Sequence, residues 1–175
     1  MALSTVVTTL IILVVSVLLA GVVTYFAINV TSTRVQEESI TMQKIHVWSN
    51  DDGTATQAAF LLINTGGRDI VINKITVRGQ TASWDNVLTA VPADAITGDL
   101  SYKSTAFVYV DDAATADALV AASGSLLFKS GTSMVVYIDQ PDSITINDIG
   151  LTVGVTVFTS QAMYYQEANV QAYVA

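Results

Sequence analysis

The sequence predicts an α+β chain, a long N-terminal hydrophobic α-helix followed by an all-β head. Three observations predict it. No charged side chain precedes Arg34. From Thr31 onward helical spacing continues without Gly or Pro until the turn-rich cluster Ser49-Asn50-Asp51-Asp52-Gly53. Beyond Gly53 the apolar period changes from helical to alternating.

The first element is the rod. From Val6 to Ile28 only Thr8, Thr9, Ser16, Thr24 and Tyr25 carry polar side-chain atoms. Ser and Thr hydroxyls in a helix can bond back to the carbonyl four residues earlier, so apolar surroundings tolerate them. The stretch is apolar on every face, which implies burial all round by lipid or protein. It is long enough to cross a bilayer, which takes about 20 residues. It is a poor secretory signal, because Met1-Ala2-Leu3-Ser4-Thr5 has no basic residue and no convincing cleavage site follows. The missing basic region predicts that Met1 is a processed end from which a short basic leader has been removed. Ile28, Val35 and Met42 repeat every seven residues, with Ile45 three further on. That stripe predicts one helix from about Leu3 to Trp48, roughly 70 Å long, with Val35, Met42 and Ile45 packing against the head. The expected units are therefore 1–48, the helix, and 49–175, the head.

The head follows as a series of short strands. Ala59–Ile63, ended by Asn64-Thr65-Gly66-Gly67, reads as a buried strand, and Ile70–Val77, ended by Arg78-Gly79, as another. Thr105–Val110 is a further strand. Ser125–Phe128 and Ser133–Ile138 flank Lys129-Ser130-Gly131-Thr132 as a hairpin, and Ser143–Ile146 follows Pro141 and Asp142. Leu151–Thr159 alternates strictly, and Tyr164–Tyr173 closes the chain. β-branched and aromatic residues suit such pleated, half-buried surfaces. Seven or eight strands of this kind predict an immunoglobulin-like sandwich or a barrel. Asp111–Ser123 is expected as a short capped helix and Gln80–Ser101 as a long surface excursion.

Composition bounds the function. The 175 residues suit one domain with an appendage. Hydrophobic residues make up 51% and charged residues 13%, against about 25% charged in ordinary soluble domains. A net charge of −8 repels phosphate backbones and argues against nucleic-acid partners. With no Cys there is no disulfide framework, thiolate zinc site or cysteine nucleophile. His46, the one histidine, rules out a multi-histidine metal site and reads as a packing or hydrogen-bonding residue. Gly131-Thr132-Ser133-Met134-Val135 lacks the last Gly of a nucleophile elbow. The pairs Asp51/Asp52 and Asp111/Asp112 and the loop Asp139–Asp142 lack the spaced ligands of a calcium loop and read as solvated turns. No catalytic residue, metal or cofactor is expected, so enzyme chemistry is not. Asn29-Val30-Thr31 is an N-x-T sequon. Asn29 would accept a glycan where it is exposed outside the membrane, and not inside a packed bundle.

The opening run ALSTVVTTLIILVVSVLLAGVVTYFAINVTSTRVQEE resembles the mature start of an archaeal type IV pilin. The phrase LLINTGGRDIVINKITVRG resembles a strand pair of archaeal pilin and archaellin heads, and GLTVGVTVFTS followed by a polar strand fits the same pattern. The Ser/Thr-rich first turns are more similar to pilins than to archaellins. A Glu in the first turns and a Pro further along the rod, usual in bacterial type IV pilins, are absent: Thr5 and Val22 stand there. The resemblance implies a structural subunit of an extracellular helical filament, serving surface adhesion, with archaellin-type motility as the alternative. It implies a leader trimmed by a prepilin peptidase, residence in the membrane before assembly, and pilus assembly machinery as a partner. The chief partner is then a second copy of the same chain, packed through Leu3, Val7, Leu10, Val14, Leu18, Gly21, Val22, Tyr25 and Ile28, with close approach permitted by Ala20, Gly21 and Ala27. A membrane-anchored surface binding module is the reading from a different class.

Overall fold

The computed structural model describes residues 2–35, 37–50, 55–93, 95–102, 108–110 and 116–173. The chain divides into two units, Met1–Glu37 and Glu38–Ala175.

The first unit is one helix, α1, Ala2–Val35, of 34 residues, about 51 Å long at 1.5 Å per residue. The expected helix from Leu3 to Trp48 is thus too long. Residues Ile40–Asn50 form a strand, β1, and the head starts at Glu38 instead of Ser49. Sequence spacing misleads here because Ile40 and Met42 serve a two-residue period as readily as Met42 and Val35 serve a seven-residue one. Pairing decides between them: β1 lies antiparallel to β2, Thr56–Asn64, and its end, Val47–Asn50, runs parallel to Val170–Tyr173 of the last strand. A bulge between Gln43 and His46, with Lys44 at φ 52°, breaks the alternation within β1.

The remaining strands are β3 (Ile70–Val77), β4 (Gln80–Thr81), β5 (Val87–Ala90), β6 (Val108–Val110), β7 (Ala116–Ala118), β8 (Val120–Ala121), β9 (Leu126–Phe128), β10 (Ser133–Asp139), β11 (Thr152–Thr159) and β12 (Met163–Tyr173). One curled sheet, a half-barrel, runs in the order β4-β3-β11-β12-β1-β2-β10-β5-β8, with β9 beside β3. β6 and β7 pair separately. The shortest strands, β4 and β8, stand at the ends of the sheet, where long unpaired edges invite aggregation. Because the sheet curls, its two halves enclose one core built from Val47, Phe60, Leu62, Ile72, Ile75, Phe128, Val136, Val155 and Val157, all buried. Tyr164 and Ala168 pack on that core from β12, as does Ile45 from β1.

Several local expectations fail for tertiary reasons. Ser125–Phe128 and Ser133–Ile138 do not form a hairpin: β9 pairs with β3, and β10 lies between β2 and β5. The chain crosses there from one half of the sheet to the other. Ser143–Ile146 is not a strand, since Ile144 is buried in the core and Ile146–Asp148 is a 3-10 turn. The segment expected as a helix over Asp111–Ser123 contains β7 and β8. Residues 111–115, with the Asp111/Asp112 pair, lie outside the described residues, as do Asp51 and Asp52 and the Thr105–Phe107 part of the expected strand. By contrast, Ile70–Val77 forms over its expected span, and Arg78-Gly79 makes the tight turn into β4 with both residues at positive φ.

Asp148 clamps this turn from below. Its carboxylate accepts the Thr145 backbone N–H and hydroxyl, each at 2.9 Å, and Arg78 Nη1 at 2.7 Å. The Thr145 amide foremost, with the Thr145 hydroxyl and the Arg78 charge, holds this buried carboxyl below the usual carboxylate range against the opposing effect of burial. A depressed folded pKa means stability that is present above the unfolded value of about 3.9 and is lost as pH falls through the folded one. Asp148→Ala is expected to lower head stability by ~1–2 kcal/mol at neutral pH and to leave a smaller difference from wild type near pH ~2. Thermal unfolding at both pH values checks it.

Candidate functional site

The first candidate is the surface of α1. Leu3, Val7, Leu10, Val14, Leu18, Val22, Tyr25 and Ile28 recur three or four residues apart and so share one side of the helix. All are exposed, from 46% at Val14 to 80% at Leu3. The other faces are equally apolar: Val6, Ile11, Ile12, Val15, Leu19, Val23 and Phe26 are exposed as well. The span Leu3–Ser32 is long and apolar enough to cross a membrane.

Four hydroxyls on this helix are bonded within it. Thr8 donates to the Ser4 carbonyl (2.8 Å), Thr9 to Val6 (2.9 Å), Ser16 to Ile12 (2.6 Å) and Thr24 to Ala20 (2.8 Å). These groups make no demand on a neighbour and lie down against the rod, so they cost little in lipid or in a helix bundle. Apart from its neighbours along the helix, nothing among the described residues lies within 4 Å of a Cβ built on Gly21. That notch is open in the single chain. Asn29 is exposed on α1, within the helix and not on a loop.

The residues expected to join helix to head do something else. Met42 is buried in the head core and Ile45 packs against it, both as residues of β1. Val35 is the last residue of α1, and its side chain lies outside the described ones.

The second candidate is the outer face of β1, β2 and β10. The expected surface excursion is not loose throughout: residues 96–102 cover this face, where Leu100 is buried with Trp48, Ala59, Leu61, Val135 and Tyr137. β2 is consequently buried on both faces. Polar contacts hold the cover down. Lys44 Nζ donates to the carbonyls of Ile96 (2.8 Å) and Gly98, Tyr137 OH donates to Ser101 O (3.0 Å), and His46 Nε2 lies 2.9 Å from Asp99 Oδ1. His46 also stacks on Trp48, ring centroids 5.2 Å apart, and Trp48, Tyr102 and Tyr173 continue the aromatic cluster. His46 is thus a packing and hydrogen-bonding residue. The sequence signal for this clasp was the run of Lys44, His46 and Trp48 on alternate positions, but nothing local points to Asp99 or Tyr102. Among the described residues, no three His, Asp or Glu side chains are placed to hold a metal ion.

No protein-family profile matches the chain, and no curated protein matches it. Among solved structures, it is similar to a β-glucosidase, EmGH1, from Erythrobacter marinus at 11% identity and TM-score 0.28, over 76% of this chain and 15% of that one. It is also similar to a family 123 glycoside hydrolase from Clostridium perfringens at 10% identity and TM-score 0.33, over 79% of this chain and 27% of the other. The chain therefore spans well under a third of either enzyme, and likenesses this remote do not bear on function.

Proposed function

We propose that this protein is the structural subunit of an extracellular, type IV pilus-like helical filament that polymerises through α1 and serves surface adhesion. The observation that carries the reading is a 34-residue helix apolar on every face and without a charged residue before Arg34, beside a head that has its own core. Such a helix needs apolar surroundings on all sides. Lipid supplies them before assembly, and neighbouring copies of the helix supply them in the filament. Exchanging lipid for helices brings little hydrophobic gain, so close packing at Ala20, Gly21 and Ala27 must contribute, and assembly machinery must drive extraction. A prepilin peptidase would release the mature end. The head, in this reading, is an immunoglobulin-like domain displayed on the filament surface, and Asn29 a glycan acceptor only where packing leaves it open.

Electron microscopy of material sheared from cells that make the protein, with the subunit identified by mass spectrometry, tests this. Regular filaments are the expected result. Membrane vesicles studded with single heads would overturn it in favour of an anchored binding module.

A further inference from the structure

The two outer faces of the curled sheet differ. One is covered by residues 96–102, as described above. The other, formed by β9, β3, β11 and β12, has no such cover among the described residues. Val71 and Leu127 are direct cross-strand partners and both are exposed. Phe158 pairs with Lys74 on one side and with Met163 on the other, and Met163 and Tyr165 are exposed. Tyr165 lies flat over Gly154, where a Cβ would meet its ring at 2.3 Å, so the ring is held against the sheet as a platform. The result is an apolar patch across four adjacent strands, about 15 Å wide at ~4.8 Å per strand.

The cations of the head point to its occupant. Six of the seven Lys and Arg lie in the head. Lys44 is committed to two carbonyls and Arg78 to Asp148, and Lys103 lies outside the described residues. The other three, Arg68, Lys74 and Lys129, have no carboxylate partner among the described residues, and all three border the patch. Lys74 Nζ sits 4.1 Å from the Phe158 ring centroid. Lys129 follows Phe128, which pairs with Ile70, and Arg68 stands just before that strand. Of the nearby carboxylates, Asp69 is occupied by the Ser130 N–H, Glu38 by Thr159, and Glu167 by the Tyr165 hydroxyl at 2.6 Å. At the opposite end of β10, Asp139 and Asp142 line one shallow recess together with Ser83 and Asn86, and exposed Asp85 lies between those two residues. That end is acidic, and its Asp139 carboxyl is pushed up by burial.

We infer that the patch of Val71, Leu127, Phe158, Met163 and Tyr165, rimmed by Arg68, Lys74 and Lys129, docks the acidic Asp85/Asp139/Asp142 end of the head of a second copy of this chain. The inference rests on the filament reading. Different surfaces meet, so the contact is head-to-tail and propagates without closing, as an open helical polymer requires. An apolar centre with a charged rim has the anatomy of a specific interface, and the rim charges make the contact sensitive to salt.

The test uses filaments sheared from cells shifted from light to heavy isotope medium while assembling them, so that both kinds of full-length subunit enter one filament, and treated with a carbodiimide, which joins amines to carboxylates in direct contact. Light–heavy cross-links from Lys74 or Lys129 to Asp85, Asp139 or Asp142 are expected. Lys74→Glu is expected to lower filament yield at least about tenfold, equivalent to ~1.4 kcal/mol per contact, with the head's circular dichroism unchanged, and Asp142→Lys on the same chain to restore part of it. Filaments that lack those cross-links and tolerate Lys74→Glu would overturn the docking face while leaving the filament reading intact. Absence of filaments from the unaltered chain would overturn both.

Discussion

A fragment of residues 38–175 is expected to be a soluble β protein with a cooperative thermal transition, while a fragment of residues 50–175 is expected to stay unfolded or aggregate. The difference between them is β1. This strand bridges the two halves of the sheet, pairing with β2 on one side and with the end of β12 on the other. It contributes Ile40, Met42 and Val47 to the main core and Trp48 to the cluster beneath residues 96–102. Removing four buried side chains at about 1.5–3 kcal/mol each forfeits ~6–12 kcal/mol, comparable to the whole stability of a domain at about 5–15 kcal/mol. Removal also strips Lys44 and His46 from the carbonyls and carboxylate of the cover, and bares the edges of β2 and β12. Circular dichroism and size-exclusion chromatography of the two fragments check the expectation. Equal folding of both would show that β1 is dispensable and that the head begins after it.

Val14→Asp is expected to abolish filaments while leaving the head folded. Val14 lies near the middle of α1, with no charge within the helix before Arg34 to pair a carboxylate. An Asp at the centre of a membrane helix costs about 2.5–3.5 kcal/mol on insertion, and an unpaired carboxylate buried among helices is costlier still. Failure at the membrane and failure at assembly are separated by membrane fractionation. Gly21→Leu isolates the second step. The added side chain keeps the helix apolar, and its Cβ meets nothing beyond its helix neighbours among the described residues, so insertion should proceed. Overpacking of an interior contact costs about 1–3 kcal/mol per site, repeated at every subunit. Loss of filaments from a normally inserted Gly21→Leu chain therefore reports a contact between copies. Normal fibres from Val14→Asp would mean that α1 is not the buried core of the polymer.

The rod was legible from residue order alone. An unbroken apolar run with no charge before Arg34 admits little but a helix, because in apolar surroundings the backbone must satisfy its own hydrogen bonds. The same holds for the strict alternation of Leu151–Thr159 and the stop at Arg78-Gly79, whose information is local. The end of the helix was not legible. Ile40–Asn50 carries apolar residues that suit two periods, and strands built from residues far along the chain choose between them. For the same reason the sequence suggested a hairpin across Lys129–Thr132, where β9 and β10 instead take separate partners. It suggested a free excursion where residues 96–102 close over a sheet face, because Asp99 and His46 are distant in sequence and meet only in the fold. Which residues share one side of α1 could be named from spacing, since position around a helix follows from residue number. Which face of the head lacks a cover among the described residues, and which three cations lack a carboxylate partner among them, depends on how the sheet curls and what covers its back. Only the tertiary structure decided that, because strand pairing and burial are set by long-range competition among segments, each of which is locally content with more than one answer.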